Sequence, residues 1–444
     1  MKKKIINLIF IILLLTSCQE VNDNRPMLNK SDEKQPIIIV NKNRHLNIAE
    51  FWIDKIENPD TLIMNEKEIE HFNNNTAHKQ QKLNYFHDLQ KEYDFSWIRA
   101  KIVKSFHGIQ LSASYFSDEY KIPQSFYSDI KREMNLNNFY EKSRTTRYAL
   151  TVNYTNQKII PTELSLLKKP SQIHFDRNQN SALDIATPIA ILHSSKDGLW
   201  HYGIGPTSSG WVCSKDIAFG DREEILNYLD TKNFVITTAA KTPLIIQGKY
   251  HDYMRMGVRL PSLITIDDMT MVMVPQRNKD GKLIFSNATI KTENIHRGYL
   301  PYTARTILTQ AFKFLHAPYG WGGMYGEQDC SKFIQEIYAT TGVQLPRNSG
   351  SQSEVGESKR ELAGLAKKAK NHLVKSRALA GVSIIHLKGH IVLYLGKYKG
   401  EPYIIHTVWG SSSKHFALGR TTVTPLNFNN YLKGIDRVTN ITLY

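Results

Sequence analysis

Residues 316–352 read HAPYGWGGMYGEQDCSKFIQEIYATTGVQLPRNSGSQ, and this stretch decides the fold of the last third of the chain. Gly320, Gly322, Gly323 and Gly326 form a loop through which backbone can approach a ligand closely. Asp329-Cys330-Ser331 follows. Phe333, Ile334, Ile337 and Tyr338 then recur at helical spacing until Gly342, a natural stop. Cys330 is therefore expected at a helix N-terminus, where unpaired N–H groups stabilise an anion. That placement predicts a lowered thiol pKa and a thiolate nucleophile. A glycine-rich approach and polar flanks do not suit a buried structural cysteine.

A thiolate nucleophile needs a base. Among 16 histidines, two stand out by position. GHIVLYLG (389–396) puts His390 at the start of a strand, and YIIHTVWG (403–410) puts His406 inside a second. The linker KYKGEP is short enough for a hairpin. A turn centred near Lys399 pairs His390 with a residue close to 406–408, so both histidines face one side of the sheet. A bulge would break that parity. His390 is then the base and His406 its orienter, following nucleophile–base–orienter logic. His386 and His316 are the competing histidines. There is no HExxH and no paired cysteine spacing, so no metal and no cofactor is implied.

Upstream, the period of the sequence changes. Short β-rich runs between 136 and 297 alternate with turn signals such as KDG at 196–198 and NKDG at 278–281. They predict one or two small barrels. Cys213, in the run GWVCS, reads as a buried, apolar-like cysteine. Residues 44–135 are mainly helical by pattern, with Asn65 a helix cap and Trp97, Ile98, Ile102, Val103 and Phe106 a core stripe.

The first residues read as an address. Three lysines precede the apolar run Ile5–Leu14, which is short of the roughly 20 residues that span a bilayer. Leu15-Thr16-Ser17-Cys18 resembles a bacterial lipobox, predicting lipidation at Cys18 and a membrane tether. Gln19, where an Asp would retain a lipoprotein at the inner membrane, points to the outer membrane in a cell that has one. Residues 19–43 read as a flexible tether. The net charge of +16 suggests an anionic partner, but its basic residues are scattered and no nucleic-acid motif is present. Three cysteines do not make a disulfide framework.

PYGWGG…DCS…LPRNSGSQ…GHIVLYLG…IIHTVWG resembles the NlpC/P60 family of papain-like cell-wall peptidases over about the last 145 residues. SSKDGLWHYG…SGWVCSKDIA, with Trp200 and Trp211, resembles a bacterial SH3 (SH3b) domain, as do FDRNQNS (175–181) and PTE (161–163). Residues 45–73 resemble the clip-like segment that precedes two SH3b domains in one lineage of these peptidases. Lys158 stands where relatives often carry Arg, which leaves the contacts of the first SH3b domain open.

The resemblance implies a multidomain α+β chain: signal peptide 1–18, tether 19–43, helical clip-like domain 44–135, SH3b domains 136–230 and 231–297, and a papain-like α+β peptidase domain 298–444. It assigns Cys330 as nucleophile, His390 as base and His406 as the third residue. It gives Asp329, Ser331 and Ser349 to recognition of a free N-terminal amine, and Tyr319 to the oxyanion. The implied reaction is hydrolysis of the bond between γ-D-Glu and L-Lys or meso-diaminopimelate in peptidoglycan stem peptides or muropeptides. The enzyme is expected to be a lipid-anchored monomer of the cell envelope that binds no nucleic acid. The rival readings are a non-catalytic wall-binding lipoprotein and a papain-like amidase or acyltransferase.

Overall fold

The computed structural model describes residues 44–109, 114–137, 142–356, 358–410 and 417–443, without the side chains of 358–360. The expected signal peptide, Cys18 and the tether to residue 43 lie outside the described residues.

Alternating burial builds two antiparallel sheets in the middle of the chain. In Met269–Arg277, for example, Thr270, Val272 and Val274 are buried while Met269, Met271 and Met273 face partly outward. The first sheet orders its seven strands as Ile217–Gly220, Arg147–Thr151, Pro188–Ser194, Trp200–Ile204, Ser209–Cys213, Thr155–Lys158 and Gln179–Leu183. The second runs Lys249–Arg255, Lys241–Ile246, Leu283–Lys291, Met269–Arg277, Arg259–Ile266, Phe234–Thr237 and Ile295–Arg297. The sheets share one core, in which Leu150 and Ala218 of the first meet Val235, Leu260 and Val272 of the second around Ile225.

The stretch 44–135, expected as one helical unit, is divided between two cores. Its first part carries the helix Glu66–Asn74, closed by a capping box between Asn65 and Glu68. Trp52, Ile53 and Phe72 of this part pack with Phe333 and Ile334 of the C-terminal domain. The helix Phe95–Gly108 instead places Ile98, Ile102 and Phe106 against Trp200, Tyr202 and Trp211 of the first sheet. Trp97 does not join them: it is 38% exposed and stacks on Tyr93 with Lys101 over its ring. Cys213 is half-buried against that same core, and burial pushes its thiol pKa up.

The C-terminal domain is a six-stranded antiparallel sheet ordered Ser358–Glu361, Ile435–Asn440, Ser383–Leu387, His390–Tyr398, Glu401–Gly410, Ala417–Pro425. The helix Cys330–Ala339 lies against its centre, with Phe333, Ile334 and Ile337 buried on Ile391, Leu393 and Ile405. Burying three such side chains contributes on the order of 5–9 kcal/mol, which fixes the helix over the two histidine strands.

Candidate active site

Cys330 is the first residue of its helix, and Asp329 is the cap, accepting from the Lys332 N–H at 2.8 Å. The local sequence therefore folds as its pattern dictates. The thiol does not behave as the helix position alone predicts. Burial pushes its pKa up to about 12, and the negative charge of Asp329 adds to the effect. The N–H groups of Ile391 and Ser331 and the charge of Arg347 oppose this without prevailing. Desolvation outweighs a helix terminus because the dipole contributes about 1 kcal/mol while burial of an unpaired charge costs several. Burial thus works against the thiolate that the helix position alone predicts.

The two histidines meet as expected, by a different route. The hairpin pairs Tyr398 with Glu401, so its turn is centred between Lys399 and Gly400, both in the left-handed region (φ 50° and 77°). That register alone would set residues 390 and 406 on opposite faces. A bulge between Tyr394 and Gly396 shifts the pairing by one residue, to Leu393 with Ile405, and returns both histidines to one face. His390 Nε2 then lies 2.8 Å from His406 Nδ1, and His406 Nε2 lies 3.2 Å from Thr424 Oγ1. Either tautomer pattern completes the chain, and the one in which His390 Nε2–H donates to His406 and His406 Nε2–H donates to Thr424 leaves a lone pair on His390 Nδ1. Burial lowers the His390 pKa to about 4 and that of His406 well below its ordinary value. Tyr431 lies across both rings, its centroid 5.5 Å from His390 and 5.7 Å from His406. Burial raises its hydroxyl pKa, and a negative charge on Cys330 would add to the effect.

The competing histidines sit elsewhere. His386 pairs with Asp436 at 2.7 Å on the neighbouring strand. His316 is exposed at a left-handed turn (φ 70°) with its N–H on the Thr421 carbonyl.

Asp329 and Ser331 are at the site, but they face inward. Asp329 accepts from Arg347 (2.7 and 3.2 Å), Ser331 Oγ (3.1 Å), and the N–H groups of Lys332 and Gly322 (2.8 and 3.1 Å). Five donors occupy the roughly four lone-pair positions of a carboxylate. Burial works against the Asp329 charge, yet Arg347 holds its pKa below the usual value. Ser349 opens the short helix Ser349–Glu354 and is half-exposed. Tyr319 is half-exposed too, and burial together with the charges of Cys330 and Asp329 raises its hydroxyl pKa.

The remaining wall comes from the first sheet. Tyr154 Oη donates to the Gly323 carbonyl at 2.6 Å, Gln179 Nε2 to that of Gly322 at 3.2 Å, and Arg347 Nε to Ser181 Oγ at 3.0 Å. Gly322 and Gly323 have φ of 61° and 88°, and a Cβ on either would lie within 2.8 Å of Gln179 or Ala182. Phe175 sits 5.4 Å from both Trp321 and Trp409 and 6.3 Å from Tyr319, and His174 lies 4.3 Å from Trp409. The sequence reading missed this wall, together with Arg347, Thr424 and Tyr431. The tyrosine carries no local signal, whereas Arg347 stood inside the quoted PRNS segment.

Residues 316–414 match the model of the NlpC/P60 family, and residues 166–213 match that of an SH3 domain of the SH3b1 type. A γ-D-glutamyl-L-lysine dipeptidyl-peptidase of Bacillus cereus is 25% identical over 241 residues, which cover 50% of this chain and 61% of that protein. The Bacillus subtilis enzyme of the same name is 39% identical over 56 residues, 12% of this chain and 19% of that one. The chain thus spans less than two thirds of the length of these curated relatives. Among solved structures, an NlpC/P60 endopeptidase from Photobacterium damselae subsp. piscicida superposes with a TM-score of 0.72 at 19% identity, covering 88% of this chain and 96% of the other. The helix-borne Cys330, the histidine hairpin and the sheet beside them thus belong to a chain that carries an NlpC/P60 domain preceded by an SH3b-type SH3 domain.

Proposed function

We propose that this chain is a cysteine peptidase of peptidoglycan stem peptides that hydrolyses the bond between γ-D-Glu and the diamino acid that follows. One observation carries the reading: Cys330 begins a helix packed against a hairpin whose two histidines are hydrogen-bonded through His390 Nε2 and His406 Nδ1, so that His390 Nδ1 is not engaged in that bond. The activity for which the Bacillus relatives are named supports the same bond in this chain.

With a thiol and a neutral imidazole at rest, the proton moves as the substrate carbonyl is attacked. Cys330 Sγ bonds to the γ-glutamyl carbon while its proton passes to His390 Nδ1. The N–H groups of the helix start and the Tyr319 hydroxyl hold the oxyanion. Imidazolium His390, held in orientation by His406 and Thr424, protonates the leaving amine, then draws a proton from the water that releases the acyl group. An amidase or acyltransferase would share the first step and differ in the acceptor.

A preference for a free N-terminal L-Ala belongs to the proposal. Asp329 supports it less well than Ser349, because its carboxylate is already filled by Arg347 and backbone donors. Anchorage through Cys18 at the envelope and a monomeric state complete the proposed picture. The test is mass spectrometry of L-Ala-γ-D-Glu-L-Lys and its meso-diaminopimelate counterpart, each with free and acetylated N-terminus. Release of L-Ala-γ-D-Glu from the free peptides alone is expected. Equal turnover of both forms would remove the amine preference, and cleavage at another bond would overturn the reaction.

A further inference from the structure

The segment that reaches the site, residues 174–177, lies between the strands Thr155–Lys158 and Gln179–Leu183 of the first sheet. Asp176 turns inward, 1% exposed, and accepts from Lys158 Nζ at 2.8 Å and from the N–H groups of Leu166 and Asn178. Lys158, the departure from the SH3b pattern, is thus an internal clamp, and it holds the segment down. Phe175 and Arg177, on either side, face the aromatic wall. The Arg177 guanidinium carbon lies 5.0 Å from the centre of the Trp321 ring and 6.0 Å from that of Phe175.

This cation has no anion among the described residues. Among the described residues no acidic side chain or carbonyl accepts from its side chain, and its Nε is buried without a partner. The carboxylates of Asp176 and Asp329 are both taken, the first by Lys158 and the second by Arg347. Aromatic faces stabilise a guanidinium by roughly 0.5–2 kcal/mol, less than a buried unpaired N–H costs. A cation kept unpaired at the rim of a reaction cleft is a cation kept for a ligand. Arg177 stacks on Trp321, and Phe175 joins that ring to Tyr319, with centroids 5.4 and 6.3 Å away.

Resting on the proposed function, we propose that Arg177 reads the free α-carboxylate of the γ-linked glutamyl residue, so that the enzyme distinguishes the acid at this position from its amide. In a γ-linked glutamate the scissile carbonyl belongs to the side chain. The α-carboxylate therefore stays ionised, four bonds or roughly 5 Å from the attacked carbon. A planar guanidinium matches it with two parallel hydrogen bonds, and an α-carboxamide offers one acceptor and repels with its NH₂. Arg177 is a specificity-determining residue here and touches none of the atoms exchanged in catalysis.

The experiment measures kcat/KM of the native chain, Arg177→Gln and Arg177→Lys on L-Ala-γ-D-Glu-L-Lys and on the same peptide with the glutamyl α-carboxyl amidated, or on the meso-diaminopimelate pair if that is the one cleaved. The native chain is expected to prefer the acid by about 10–100-fold, in line with a charged hydrogen-bond pair. Arg177→Gln should lose that factor on the acid, keep its rate on the amide within about threefold, and so bring the ratio near one. Arg177→Lys should retain part of the preference, because the charge survives and the fork does not. Equal losses on acid and amide would overturn the proposal and leave Arg177 a packing residue, as would a native chain indifferent to amidation. Cleavage of neither peptide by the native chain would instead overturn the parent reading, and this inference with it.

Discussion

Two regions meet at the site and were written into the chain in different ways. The nucleophile region, 319–349 with the hairpin 390–406, is encoded locally: a cap, a helix, a turn and a bulge place each group within its own element. The wall built by 154–182 is encoded at long range, since Tyr154 meets Gly323 and His174 meets Trp409 far along the chain. In the proposed reaction the first region supplies the bond-making atoms. The second fastens the loop that precedes the nucleophile region's helix, through Tyr154 on Gly323 and Gln179 on Gly322, while burial of Cys330 raises its thiol pKa against the helix dipole.

The largest expected effect separates those two contributions directly. If burial governs the thiol, alkylation of Cys330 by iodoacetamide is slow near neutrality and climbs about tenfold per pH unit between about pH 7 and about pH 10, roughly a thousandfold in all. The sign follows from the raised thiol pKa (about 12) and lowered His390 pKa (about 4): neither group is charged in this range, and only loss of the thiol proton speeds the reaction. A flat, fast profile from pH 6 upward would show a standing thiolate–imidazolium pair, and local encoding would then account for the protonation state as well.

The buried Arg347–Asp329 pair, 2.7 Å apart, joins the two regions because Arg347 also reaches Ser181. Arg347→Met should cost about 3–5 kcal/mol in urea unfolding by leaving buried Asp329 without its cation, and adding Asp329→Asn should restore part of it. Within the local region, His406→Ala should lower kcat roughly 10–100-fold with little change in KM, since His406 orients the base and touches no substrate. An unchanged kcat would remove it from the relay. At the seam, Gly323→Ala forces a side chain into φ 88° with Ala182 Cβ and Tyr154 Oη each 2.8 Å away. A loss of about 1–3 kcal/mol is expected, and a neutral result would mean that the wall yields easily.

These differences explain what the sequence could tell. The helix start at Cys330 and the stripe Phe333–Ile334–Ile337 were legible because a 3.6-residue period and a capping residue sit side by side. The shared face of His390 and His406 was reached with the turn misplaced by half a residue, an error that the bulge at 395 cancels. Bulges have no dependable sequence signature, so that agreement owed something to chance. Asp329 read as a substrate contact because adjacency to a nucleophile shows nothing of where a side chain turns, and its partner Arg347 lay 18 positions away. Trp97 read as core because helical spacing locates a stripe more sharply than its edges. Phe175, Arg177 and Trp409 were beyond reach, since no period or spacing links residues on separate sheets.

The central claim is that Cys330 forms the bond to the substrate carbonyl. Its most direct test incubates L-Ala-γ-D-Glu-(L-Lys or meso-diaminopimelate) with the full chain and with Cys330→Ala, following free L-Ala-γ-D-Glu by mass spectrometry. The account predicts release by the native chain and a rate at least about 10³-fold lower in Cys330→Ala. Comparable release by both chains would contradict it.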